Sequence, residues 1–370
     1  MKLRKSYYLL LFTCFLLMWG CNQQENKVIE TLSGEKINYK VVDDFLKSQM
    51  DSLKITGLSI AIINNAEIVY HRTLGYANID SLSIVTEKSL FEAGSLSKPL
   101  FAYFALKLSQ QGVFYLDTPL YKYLPYPDIE YDERYKLITA RMVLSHTSGF
   151  PNWRAFNPDG KLDIKCTPGT EFYYSGEAYL YLSKVIAHLT NRSLRDLDDY
   201  FQEIVSKEIG LKNSYFSTND YLVKNKVKGH IDGKPVDEPS YYDLEQFGAA
   251  GSLHTEAIDY SKFLIAIINE KGLKKETFEE MFTEHIPVSN EEVYISYTDS
   301  VAWGLGFGIK DSPYGKLYFH EGLNHGFQSY FIIDKEDKRG YVFFTNCQNA
   351  DDFIKNSEIF LTNGMIKDKK

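Results

Sequence analysis

The chain has 370 residues, 44% hydrophobic, 15% aromatic and 24% charged, with 41 Lys and Arg against 49 Asp and Glu for a formal charge of −8. This ordinary composition excludes a largely disordered, collagen-like or coiled-coil protein, and the acidic balance excludes a nonspecific nucleic-acid binder. Four scattered cysteines are too few for a disulfide scaffold or a zinc site, and the length fits one large domain or two subdomains.

The N-terminus sets the expected compartment. Lys2, Arg4 and Lys5 precede a nearly unbroken apolar run, Tyr7 to Trp19. That run is short of the roughly 20 apolar residues a spanning helix needs and has the form of a signal peptide. Leu17-Met18-Trp19-Gly20-Cys21 resembles a bacterial lipoprotein cleavage box, with Trp19 bulky for its place. The expectation is a signal at 1–20, a lipid anchor on Cys21, a polar tether over 21–36, and an exported protein held to a membrane. Removing 1–20 leaves 38 cations against 49 anions, a formal charge of −11. Only Cys166 and Cys347 then remain in the fold.

Lys40 to Ser52 has helical spacing. Gly57 to Ile63 and Glu67 to Leu74 read as two strands about the turn Asn64-Asn65. Phe101 to Gln111, Glu177 to Thr190, Leu194 to Ile209 and Ala257 to Asn269 have helical periodicity. Trp303 to Ile309, Lys316 to His320, Ser329 to Ile333 and Gly340 to Thr345 are short strand-like runs, with a charged hairpin tip at Asp334 to Arg339. Asp351 to Leu361 reads as a closing helix. Strands at both ends of a mostly helical middle pack most compactly as one sheet built from both chain ends. One catalytic domain is expected over 37–365, its α/β part at about 37–125 and 300–365 and its mostly helical part at about 126–299.

Three small constellations carry chemistry. Ser95-Leu96-Ser97-Lys98 follows Phe91-Glu92-Ala93-Gly94 and opens a helix. Spacing of three residues puts Ser95 and Lys98 on one face. A serine needs a base to become a nucleophile, and a lysine serves when burial lowers its pKa. Alone this pattern is weak, since it also marks many ordinary helix starts. Next, Pro168-Gly169 makes a turn that leads through Tyr173-Tyr174-Ser175-Gly176 into a helix. Tyr174 can relay protons there, although a lone tyrosine is more often packing. Last, His320-Glu321-Gly322 ends a strand. A glycine at a strand edge permits close approach by a substrate backbone, and edge N–H groups can form an oxyanion hole.

The three together, in this order, resemble the class C β-lactamase, D-aminopeptidase and family VIII esterase branch of the β-lactamase and penicillin-binding-protein superfamily. Its first motif is Ser-x-x-Lys, its second Tyr-x-Asn and its third Lys-Thr-Gly or His-x-Gly. Ile138 to Phe150, Leu116 to Leu120 with Leu124-Pro125, Ala249 to Leu253 with Asp259, and Trp303 to Phe307 also fit family segments. The resemblance runs from about Val41 to Cys347. It implies an antiparallel sheet made from both chain ends, flanked by helices, with a mostly helical insertion. It implies Ser95 as nucleophile, Lys98 as its activator and Tyr174 as proton partner. The N–H groups of Ser95 and Leu323 are the oxyanion donors, and His320, Gly322 and Gly176 lie in the substrate site. His146, Ser148, His254 and Asp259 are read as structural. No metal or cofactor is implied.

Two departures matter. Gly176 replaces the family's asparagine, which would hydrogen-bond the lysine and the substrate's amide carbonyl. His320 replaces lysine and is mostly neutral at pH 7. Both shift the expectation from β-lactam turnover toward a peptide, D-amino-acid or ester carbonyl, with a small-molecule or peptide substrate for which cell-wall material is a candidate. The alternatives are a β-lactamase or D,D-carboxypeptidase proper, or a penicillin-recognising sensor that is acylated without turnover. An α/β-hydrolase is excluded by the missing G-x-S-x-G elbow, and a zincin by the missing H-E-x-x-H. Residues 211–247 and 283–301 are expected to supply pocket walls.

Overall fold

The computed structural model describes residues 27–236, 245–288, 301–348 and 350–362. The signal, the Cys21 anchor and residues 21–26 of the tether lie outside the described residues. The rest of the expected tether is part of the fold: Val28–Glu30 pairs antiparallel with Lys36–Asn38, and Ile29 and Leu32 are buried because apolar side chains in the segment pack on the core. No described helix is long and apolar enough to cross a membrane.

Nine strands among the described residues form one antiparallel sheet. They are β1 (Gly57–Asn64), β2 (Glu67–Asn78), β3 (Ser83–Ile84), β4 (Ile286–Pro287), β5 (Val301–Trp303), β6 (Gly308–Ser312), β7 (Gly315–Asn324), β8 (Phe327–Asp334) and β9 (Arg339–Thr345). Their order across the sheet is β4-β5-β6-β7-β8-β9-β1-β2-β3. The two chain ends meet where β9 pairs with β1, from Gly340 opposite Ile63 to Thr345 opposite Leu58. The sheet is therefore the expected single one, completed from both ends.

Side chains alternate between two cores, as a period of two requires. Ala61, Ile63, Val342 and Phe344 face the helical body. Leu58, Ile60, Ile62, Tyr341 and Phe343 face the terminal helices α1 (Tyr39–Leu53) and α5 (Asp351–Leu361). All eight residues of β1 are buried, because helices cover both faces.

The helical body is organised around α2 (Ser97–Gln110), with α3 (Gly176–Leu189) and α4 (Ala257–Ile268) beside it. Residues Ser97 to Leu108 of α2 are all buried. A helix apolar on every side belongs inside a core, and α2 carries Lys98 there with it.

Two expected elements differ. The run Trp303 to Ile309 is a hairpin, not one strand, because Gly306 (φ +88°) turns the chain against α2, where an added Cβ would lie 2.5 Å from the Ala102 Cβ. The helix expected over Leu194 to Ile209 is an α-helix at Asp196–Phe201, a π turn at Gln202–Ser206 and a last α turn at Lys207–Ile209. Among the described residues no disulfide joins the half-buried Cys166 to the buried Cys347.

Candidate active site

Ser95 sits in a 3-10 turn, Gly94–Leu96, that runs directly into α2. Gly94 has φ +52°, and a Cβ there would lie 2.7 Å from the Leu323 backbone nitrogen. The same contact is repeated from the other side. A Cβ on Gly322 would lie 2.1 Å from the Ala93 carbonyl oxygen and 2.4 Å from Ser329 Oγ. These two glycines let β7 lie against the nucleophile's turn, which brings the Ser95 and Leu323 backbones together. The pairing of β6 with β7 stops at Gly308 opposite Phe319. His320 to Asn324 therefore have β8 on one side and an edge on the other.

Lys98 is completely buried. Its Nζ lies 2.9 Å from Ser95 Oγ and donates to the Ala250 carbonyl at 2.8 Å. It also lies 4.7 Å above the centre of the Tyr174 ring. Burial pulls its pKa well below the usual lysine value, since a charged amine loses its hydration there. The Tyr174 phenol hydrogen-bonds Ser95, and burial pushes its pKa upward. It is thus a neutral O–H donor near pH 7, not a phenolate.

His146 is the post that places Tyr174. Its carbonyl accepts from Tyr173 N at 2.7 Å, its Nδ1 accepts from Ser175 N at 3.1 Å, and its ring lies 4.2 Å from the Tyr174 ring. Ser175 then caps α3, its Oγ accepting from Ala178 N at 3.0 Å.

His320 is buried beside these groups, and desolvation, reinforced by Lys98, pushes its pKa down to about 3. Its Nδ1 faces the Glu321 carbonyl at 2.7 Å. That nitrogen therefore carries the proton and Nε2 is an acceptor. A neutral His320 offers no cation to a substrate carboxylate. Burial pushes the neighbouring Glu321 up to about 7.

Ser95, Tyr174, His320 and Leu323 line one cleft of about 1310 Å³. Gly176 and Gly322, expected in the substrate site, are not among the residues lining this cleft. The space a Gly322 side chain would take belongs to the protein's own Ala93 carbonyl. At Gly176 a Cβ would lie 2.6 Å from Trp153 Cη2 and 2.8 Å from its Cζ2. The indole stands where the family's asparagine side chain would begin, and Trp153 lines the cleft instead. Of the expected wall segments, only Gln246 and Phe247 border the cleft, and 237–244 and 289–300 lie outside the described residues. His146, Ser148, His254 and Asp259 do not border it. Trp153, Ala250, Asn324 and Glu92 were missed as site residues. Ala250 lies in the segment Ala249 to Leu253 that already stood out, whereas nothing in spacing marked Trp153.

Comparison with known proteins agrees with this geometry. A family model described as Beta-lactamase matches residues 42–363. PbpX of Bacillus subtilis (strain 168), whose name places it with the penicillin-binding proteins, is 27% identical over 300 residues, covering 78% of this chain and 70% of its own. Protein flp of Staphylococcus aureus (strain MW2) is 22% identical over 322 residues, covering 82% of this chain, which spans only 62% of flp. Among solved structures, the octameric penicillin-binding protein homologue from Pyrococcus abyssi superposes with a TM-score of 0.72 at 23% identity, over 84% of this chain and 74% of that one. The D-alanine carboxypeptidase AmpC from Burkholderia cenocepacia gives 0.70 at 19% identity, over 88% and 99%. The fold, the cleft and the family match over most of the chain lead to one conclusion: this protein belongs to the Beta-lactamase family.

Proposed function

We propose that the protein is an exported, membrane-tethered serine hydrolase that cleaves a peptide, D-amino-acid or ester carbonyl through an acyl-enzyme. The observation that carries the reading is the buried Lys98 amine 2.9 Å from Ser95 Oγ. Burial keeps that amine neutral enough to act as a base.

Ser95 Oγ attacks the carbonyl carbon while its proton passes to Lys98 Nζ. Charge gathers on the carbonyl oxygen between the Ser95 and Leu323 N–H groups, each such donor being typically worth about 3–4 kcal/mol of barrier. As the intermediate collapses, the Tyr174 phenol gives its proton to the leaving group and is reprotonated from Lys98. Water then attacks the ester on Ser95, with the same two groups taking its proton and returning one to Ser95 Oγ. His320 adds a neutral acceptor. The substrate is a small molecule or peptide, with cell-wall material as a candidate, and the lipid anchor at Cys21 would keep the enzyme in the envelope.

The test is hydrolysis of p-nitrophenyl esters together with fluorophosphonate labelling read by mass spectrometry. Wild type should turn over the ester and carry the label on Ser95, and Ser95→Ala should lose both. Equal turnover by Ser95→Ala would remove the reading. A second reading, a penicillin-recognising sensor, is favoured by the loss of the motif asparagine at Gly176. It predicts a fluorescent-penicillin adduct on Ser95 that persists without ester turnover.

A further inference from the structure

Ser95 opens onto the cleft. Its lining includes the apolar side chains of Trp153, Phe156, Leu180, Leu194 and Phe247. Phe156 is 76% exposed and lines the cleft, so its ring offers apolar surface that a ligand can cover. Two of the cations in this lining, Arg154 and Lys165, are already paired with carboxylates, and the third, Lys184, lies over the Tyr126 ring. The Arg154 guanidinium donates to Asp128 at 2.6 Å and to the buried Glu177 at 2.9 Å. Lys165 lies 2.7 Å from Asp163 and donates to Asn157 at 2.9 Å. Elsewhere in the lining Glu321 and Asp351 share the Gln328 amide, at 3.1 and 2.5 Å. The Glu321 and Asp351 carboxylates are thus held on a shared amide, and Trp153 and Phe156 offer aromatic surface to a ligand. Trp153 also occupies the space over Gly176, so no side chain there offers an amide to a substrate.

We propose that the Trp153 wall is a subsite for an uncharged aromatic substituent attached next to the reacting carbonyl, and that it rejects an acylamino group in that place. The inference rests on the serine-hydrolase reading above. A flat ring fits because it stacks or packs edge-on against Trp153 and Phe156. Beside Trp153 the lining carries the Asn152 amide, whose Oδ1 already accepts from Gly176 N at 3.1 Å, so the N–H of an acylamino group there meets an acceptor that is already engaged and loses hydration against Trp153.

Boronic acids test this without a leaving group to confuse the two sides of the cleft. Ser95 Oγ gives an electron pair to the trigonal boron, forming one O–B bond, and its proton passes to Lys98 Nζ. The single carbon substituent then has to choose a wall. Benzylboronic acid should bind wild type about tenfold or more tighter than methylboronic or acetamidomethylboronic acid. Trp153→Ala should bring the benzyl-to-methyl ratio to within about threefold, and Trp153→Phe should keep most of it, with folding of both checked by thermal melting. Tighter binding of acetamidomethylboronic acid by wild type, or a ratio unmoved in Trp153→Ala, overturns the subsite. Fluorophosphonate labelling separates the two levels. Labelled Ser95 without aromatic preference defeats the subsite alone, and unlabelled Ser95 defeats the serine-hydrolase reading as well.

Discussion

The Asn324 side-chain amide donates to the buried Glu92 carboxylate at 2.8 Å. It also donates to the Gly251 carbonyl at 3.1 Å. Glu92 lies three residues before Ser95, Asn324 directly follows Leu323, and Gly251 directly follows Ala250. One knot therefore ties the nucleophile's turn, the second oxyanion donor and the carbonyl that holds Lys98. Burial alone pushes Glu92 upward, but nearby cations and hydrogen bonds hold it below the usual carboxylate range. His254 is itself pushed down to about 4 by burial. Near neutral pH the cation that matters is Lys226, 2.8 Å from Glu92.

Asn324→Ala should therefore loosen three site segments at once. The expected result is a fall in kcat of about tenfold or more, with KM changed by less than about threefold, from steady-state ester hydrolysis. A kcat within twofold of wild type would show that the knot does not position the site.

Gly322→Ala places a methyl 2.1 Å from a backbone carbonyl oxygen that has no rotamer with which to escape. Overpacking of this kind typically costs about 1–3 kcal/mol, and here any relief moves Ala93 and with it Ser95. Denaturant titration should show that loss, and ester turnover should fall below a tenth of wild type. A stable, fully active variant would contradict the close packing of β7 on the nucleophile's turn.

Lys98 links stability to pH in a stated direction. Its folded pKa is depressed by burial, so between that pKa and the ordinary lysine value the unfolded chain binds one more proton than the folded one. Stability contributed by this group therefore rises as pH rises through that window, and near pH 7 burying the amine opposes folding. Lys98→Met, similar in length and apolar, should abolish turnover yet raise Tm by about 2 °C or more. The same pKa sets the acid limb of kcat/KM, lost as pH falls through it. His320, pushed down to about 3, adds no limb near neutral pH, so His320→Asn should leave that limb in place. A lower Tm for Lys98→Met, or a limb that moves with His320→Asn, would count against this account.

Away from the cleft, Lys310 and Glu358 form an ion pair at 2.6 Å with both side chains almost fully buried between β6 and α5. Removing one partner strands the other charge. Lys310→Met should destabilise by about 3–5 kcal/mol, while Lys310→Met with Glu358→Leu should recover most of that loss. Chemical denaturation of the single and double variants measures it, and an additive double variant would mean the two charges are not coupled.

Periodicity placed most elements to within a few residues because their apolar patterns are strong: Asp351 to Leu361 is the closing helix end for end. It failed where a glycine redirected the chain. The run Trp303 to Ile309 is apolar enough for one strand, but Gly306 turns it into a hairpin against α2. Ser95, Lys98, Tyr174, His320 and Leu323 were legible because motif spacing survives as local sequence. Trp153, Asn324 and Glu92 were not, since each acts on a residue distant in the chain and nothing local records the contact.

By itself the sequence determined the family, the single sheet drawn from both chain ends, and which serine and lysine stand one helical turn apart. Tertiary structure decided what the glycines do and how the charges settle. Gly176 and Gly322 are small because Trp153 and the Ala93 carbonyl occupy their side-chain space. Lys98 and His320 are held toward neutrality because both are buried. Side-chain space and hydration depend on residues far apart in the chain, and only the folded arrangement sets either one.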